Sequence, residues 1–365
     1  MKGSWKNVSI LALSTSLIVT GCQFSSSVEK EPEKIPKTNG HSSSKTEFIP
    51  QKITAGHIKV DKIAGWINDD EIVFTALQGT QTLLKKMNVR SGSQTTLYES
   101  PSAISSVYIN PDQSRLIIHS SVSNEKAEIT VLRSDGSKLY TLALPSAEIH
   151  IEWNSFNQDQ FLVTTFAEDW SFRCYVVDSA LYTAEELNTA QPFPQWHSKE
   201  KFLYLAWDRK TSGQSAPLII DDISEQEKRV LKEHVIEFKQ KENVLVTLEM
   251  ISEDEGKYTF YNRSLKNSHS FEVPLLENAS GWTLPQTGIS EKKNIFAAVV
   301  PRVDEEGKDS FRLIQYNWKT GESETILKNI PNELIQLSPD ADWCLIGNRL
   351  EKIINMRSKK IYNLL

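Results

Sequence analysis

The sequence predicts an all-β chain folded as a β-propeller of four-stranded antiparallel blades, and three observations predict it. A short phrase recurs seven times: an apolar anchor, a polar turn, then a new apolar run 6 to 8 residues after the anchor. The anchors are Trp66, Ile109, Trp153, Trp196, Phe238, Ile289 and Leu337, spaced 43, 44, 43, 42, 51 and 48 residues apart. A period of that length with several strands per unit is a propeller signature. Within the units, apolar residues alternate with polar ones between turn residues, as half-buried antiparallel strands require. Seven blades are counted; six follow if the weakly patterned fifth or sixth unit forms none.

The units read in order as follows. In the first, Leu83 to Val89 and Gln94 to Tyr98 flank the turn Arg90-Ser91-Gly92-Ser93. In the second, strands are expected over 105–109, 115–120, 127–133 and 139–144, and Gly136 supplies positive φ to the last hairpin turn. The third departs from the plan, because Tyr182 to Ala190 (YTAEELNTA) reads as a short helix. In the sixth, 311–318 and 325–327 flank Lys319-Thr320-Gly321-Glu322.

A different chemistry precedes the repeats. Lys2 and Lys6 lead a 12-residue apolar stretch, Val8 to Val19, which is too short to cross a bilayer permanently as a helix. Thr20-Gly21-Cys22 follows. Residues 23–51 are rich in Ser, Lys, Glu and Pro and lack apolar periodicity, so they are expected to stay disordered as a tether. The expected organisation is therefore a signal peptide over 1–21, a modified cysteine and tether over 22–51, and a propeller over 52–365.

Composition suits such an exported domain. The chain has 365 residues, 39% of them hydrophobic, and a formal net charge of −6. That charge gives no electrostatic reason to expect nucleic acid. Cys174 and Cys344 fall in non-neighbouring units, and a disulfide needs Cα atoms within about 7 Å. Two buried free thiols are the expectation.

Three resemblances refine this picture. Val19-Thr20-Gly21-Cys22 resembles the bacterial lipobox, which implies recognition through Val19, Thr20 and Gly21, cleavage before Cys22, and thioether diacylglycerol on Cys22. Acyl chains add about 0.8 kcal/mol per buried methylene, enough for two or three to hold a protein on a membrane. Ile109-Asn110-Pro111-Asp112 and Leu337-Ser338-Pro339-Asp340 resemble the W-S-P-D-G turn of TolB-type propellers, with Gln113 and Ala341 where Gly is usual. The whole chain resembles the YqgU-type lipoproteins of bacilli. The resemblance implies a Gram-positive lipoprotein on the outer face of the cytoplasmic membrane, a propeller commonly described as six-bladed, and no established activity.

Candidate site residues come from the inner strands. The residue before each anchor faces away from the anchor, and in order these are Gly65, Tyr108, Glu152, Gln195, Glu237, Gly288 and Gln336. None is aliphatic. Tyr108, Glu152, Gln195, Glu237 and Gln336 are therefore expected to line the central channel and offer hydrogen bonds to a ligand. Glu152 and Glu237 could serve as an acid–base pair or hold a cation. Trp170, beside Glu168 and Asp169, is a candidate partner contact on a rim loop.

The remaining motifs carry no chemistry. The seven histidines lack metal-ligand spacing, and no nucleophile elbow or phosphate loop occurs. Neither cofactor nor metal is expected. The reading is a monomeric, membrane-anchored binding or scaffolding module at the cell envelope, with an envelope protein as partner and no enzymatic activity. Its alternatives are an envelope hydrolase or lyase using the channel carboxylates, and a small-ligand or ion-binding lipoprotein serving a transporter or sensor.

Overall fold

The computed structural model describes residues 48–54, 56, 58–123, 126–208, 214–278, 281–303 and 309–365. Val19, Thr20, Gly21 and Cys22 lie outside the described residues. The propeller forms a compact unit over Phe48–Leu365. It begins before the boundary of 52 expected from composition, because Phe48 packs against the core.

Each recurring phrase becomes the same piece of structure. The anchor ends, or nearly ends, the innermost strand of a blade: Lys59–Trp66, Ile104–Ile109, Glu148–Trp153, Gln195–Trp196, Glu227–Gln240, Thr287–Ser290 and Ile335–Leu337. The polar turn then leads into the second strand, which pairs antiparallel with the first, as Trp66 opposite Ile72 and Trp153 opposite Phe161 show. Side chains close these turns. Asn110 Oδ1 accepts the Arg115 N–H at 2.9 Å, and Ser338 Oγ accepts the Trp343 N–H at 3.0 Å. Gln113 and Ala341 take φ of 64° and 56°, the conformation for which Gly is usual.

Five blades are separate four-stranded sheets, and the fourth and fifth are fused into one of seven strands. The fusion arises because Glu227–Gln240 serves twice. Its first half is the outer strand of the fourth blade, pairing with Ala216–Asp222. Its second half is the inner strand of the fifth, pairing with Leu245–Met250. His234, at φ 56°, marks the change of course.

The expected helix over 182–190 is not formed. Thr183–Leu187 is instead the outer strand of the third blade, with Glu186 opposite Tyr175 and Ala184 opposite Val177. A free ladder edge on Phe172–Asp178 outweighs the local preference of this segment.

The core is divided into seven apolar layers, one between each pair of neighbouring blades. The layer between the seventh and first blades joins Trp343, Leu345 and Ile353 to Trp66, Ile72 and Phe74. Among the described residues no strand is exchanged at this seam. The entering chain ties it instead: Ile53 N donates to Leu364 O at 2.7 Å and Gln51 N to Val89 O at 2.8 Å. Strands and layers agree on seven blades. Cys174 and Cys344 are buried free thiols, and burial pushes the Cys344 thiol up to about 12.

Candidate functional site at the channel mouth

Inner strands that end at or just past their anchors bring seven turns to one face of the ring. A cavity of about 700 Å³ lies there. Every blade lines it: Trp66 and Asp69 from the first, Asn110 from the second, Glu152 from the third, Gln195 from the fourth, Lys239 and Lys241 from the fifth, Gly288 from the sixth and Gln336 from the seventh. A pocket of this size and shared construction is the usual place for a ligand.

Of the five candidate side chains, the structure brings Glu152, Gln195 and Gln336 together on the cavity wall. Tyr108 and Glu237 are not among its lining residues. A blade packs both faces against neighbours, so an inner-strand side chain points sideways before it points inward. The Tyr108 ring accordingly packs on the layer between the second and third blades, where burial pushes its phenol pKa up. Gln195 leans on the fifth blade and accepts the Gln240 N–H at 2.8 Å. Gln336 leans on the first blade. Gly65 has φ 145°, which favours glycine, and a Cβ there would stand 2.3 Å from Gln336 Oε1, so any other residue would also displace the Gln336 amide.

Lys239 and Lys241 are the functional candidates that the sequence reasoning passed over. They follow Glu237 at steps of two, so strand alternation continued past the anchor would have found them. Lys239 Nζ lies 3.6 Å from Glu237 Oε1 and donates to Thr287 Oγ1 of the sixth blade. Burial pushes the Glu237 carboxyl up, and Lys239 draws it partly back. Burial also pushes the Glu152 carboxyl up, opposed first by Lys241 and then by Lys239. At the rim, Lys292 Nζ meets Asp69 Oδ2 at 2.7 Å, and Glu291 Oε1 accepts the Asn243 N–H at 2.7 Å.

The two acids do not form a matched pair. Glu152 faces the cavity, whereas Glu237 is engaged by Lys239. Among the described residues, no group of three or more His, Cys, Asp or Glu side chains could hold a metal ion. Trp170 stands apart on its loop, 67% exposed at φ 62°, with its ring edge against Phe166.

The model of the YqgU-like six-bladed β-propeller domain matches residues 88–347, more than two thirds of the chain. The chain belongs to the YqgU-like propeller family. The uncharacterised lipoprotein YqgU of Bacillus subtilis (strain 168) is 25% identical over 307 residues, covering 84% of this chain and 85% of the relative. The crystal structure of the uncharacterised protein lmo1340 of Listeria monocytogenes EGD-e superposes with a TM-score of 0.79 at 22% identity, over 87% of this chain and 97% of that one. The propeller domain of the Trilobed protease of Pyrococcus furiosus, described as having an open velcro topology, has a TM-score of 0.55 at 13% identity, over 85% and 98% of the two chains. These likenesses establish the fold. The family's description counts six blades, whereas this chain has seven. The matched span holds five whole blades, the outer strand of the first and the two inner strands of the seventh.

Proposed function

We propose that this protein is a lipoprotein anchored through Cys22 on the outer face of a Gram-positive cytoplasmic membrane, where its propeller acts as a binding or scaffolding module. The observation that carries the binding role is the channel mouth, a cavity of about 700 Å³ built from all seven blades and lined by charged groups of both signs. Nothing in the packing of the ring needs such a lining; apolar side chains would fill it more stably. The lipobox-like Val19-Thr20-Gly21-Cys22 and the relative described as a lipoprotein support the anchor. A binding role without turnover fits the unequal settings of Glu152 and Glu237.

Cross-linking in intact cells, followed by solubilisation and identification of co-purifying proteins, tests this reading. An envelope protein captured by the parent chain and lost with Gln336→Ala is the expected result. Capture of nothing above background, or capture unaffected by that change, overturns it. Cys22→Ala is expected to shift the protein from the membrane fraction to the soluble one. Retention on membranes would sink the anchoring claim.

A further inference from the structure

Six ionisable side chains line the channel mouth: Asp69, Glu152, Lys239, Lys241, Glu291 and Lys292. Four have partners. Asp69 is paired with Lys292 at 2.7 Å. Glu291 accepts the Asn243 N–H at 2.7 Å. Lys239 is shared between Glu237 and Thr287. That leaves one acid and one base. Among the described residues neither the Glu152 carboxylate nor the Lys241 amine makes a hydrogen bond or an ion pair. The two lie on the third and fifth blades, and Lys241 partly offsets the burial that pushes the Glu152 carboxyl up, but they form no ion pair. On two other lining residues, Gln336 Oε1 and Asp69 Oδ1 are buried without a hydrogen-bond partner.

A half-buried acid and a half-buried base that line one cavity without partners of their own are costly for the fold. The arrangement matches a molecule that carries both charges a few bonds apart. We infer that the channel mouth takes a small zwitterion, an amino acid or short peptide with free termini, holding its ammonium on Glu152 and its carboxylate on Lys241. The inference rests on the channel mouth being the binding site. The cavity is large enough for a dipeptide. A plain anion would satisfy Lys241 alone and bring negative charge towards Glu152. A plain cation would do the reverse.

The test is calorimetric titration of the full-length protein in mild detergent with alanyl-alanine, N-acetyl-alanyl-alanine and alanyl-alanine amide. Alanyl-alanine is expected to bind saturably. Each capped form lacks one charge and is expected to bind about tenfold or more weakly, as loss of a charge-assisted hydrogen bond implies. Glu152→Gln should weaken alanyl-alanine to the level of the acetylated form while leaving that form unchanged. Lys241→Met should do the same with respect to the amide. Both variants are to be checked by thermal melting, and Glu152→Gln is expected to melt no lower than the parent, since it removes an unpaired, half-buried carboxylate. Equal binding of the three probes overturns the inference, and so does no binding up to millimolar concentration by folded protein. If a partner is captured in cells but no dipeptide binds, the ligand class falls and the scaffold reading stands. If the dipeptide binds and no partner is captured, the scaffold reading falls alone.

Discussion

Two of the seven layers differ sharply. Between the fifth and sixth blades, fourteen buried residues form one cluster that includes Tyr258, Phe260, Phe296, Tyr316 and Trp318. Between the third and fourth, the cluster of buried residues is just Leu162, Trp196 and Phe202 among the described residues, and a second cavity of about 470 Å³ opens beside Phe202. The same repeat thus builds a thick seam and a thin one. Propeller stability is therefore unevenly spread, and local opening is expected first where buried apolar area is least. Ile223, an exposed apolar side chain, lines that cavity too.

The harshest way to probe this contrast is Phe260→Ala. Phe260 is fully buried, with the rings of Tyr316 at 5.2 Å, Trp318 at 6.1 Å and Phe296 at 5.2 Å. Truncation there should cost about 5 kcal/mol, the upper end for a core phenylalanine, because rings on all sides cannot collapse into the space. Urea unfolding would read it as a lowered midpoint. Phe202→Ala is the matched change at the thin seam. Phe202 is buried too and touches Trp196 at 4.4 Å, but it borders a cavity that already admits relaxation. A loss of about 3 kcal/mol is expected, with faster hydrogen exchange confined to the third and fourth blades. Equal losses at the two sites would break the link between layer thickness and stability.

A third seam, between the fourth and fifth blades, is held in yet another way. The chain runs through it unbroken in Glu227–Gln240, and Glu249 braces the crossing. Its Oε2 lies 3.1 Å from Lys232 Nζ and its Oε1 accepts from Thr247 Oγ1 at 2.8 Å and Tyr261 OH at 3.0 Å. Burial pushes this carboxyl up, yet Thr247 and Lys232 outweigh it and the net shift is downward. The unfolded chain therefore binds the proton more readily. The Glu249 contribution is complete above the ordinary carboxyl value of about 4.3 and is lost as pH falls through the lower folded value. Glu249→Gln should cost about 1–3 kcal/mol at neutral pH, moderated because Lys232 is partly exposed. It should also flatten the acid limb of a stability–pH curve. An unchanged acid limb would show that the brace is not electrostatic.

How legible these seams are in the sequence varies with the interaction. The seven anchors and the hairpins of the first, second and sixth blades follow from alternation and turn residues, which are local signals. The thin seam has a visible cause as well: Pro192 and Pro194 cannot donate to a ladder, and the inner strand is cut to Gln195–Trp196. Thr183–Leu187 misled because an exposed edge strand buries almost nothing and so carries no apolar period. At the channel mouth, Glu152, Gln195 and Gln336 were legible from position alone. Tyr108 was misplaced because alternation gives the face of a strand, not whether the side chain reaches the axis or the next blade. Glu249 had no local signal, since its partner Lys232 lies on the preceding blade.

The gentlest comparison sets the two Pro-Asp turns against each other. Gln113 and Ala341 occupy the same left-handed position, at φ 64° and 56°. There an L-residue costs roughly 1–2 kcal/mol, while glycine loses about 0.5–1 kcal/mol in extra chain entropy. Gln113→Gly should therefore stabilise by up to about 1 kcal/mol, because the Gln113 side chain belongs to no apolar layer. Ala341 is buried in the layer between the sixth and seventh blades, and removing its methyl should forfeit about 0.8 kcal/mol of burial. Ala341→Gly should then be nearly neutral. Thermal melting of the two variants would separate turn strain from layer packing. An equal gain at both positions would mean that the methyl of Ala341 contributes little to its seam.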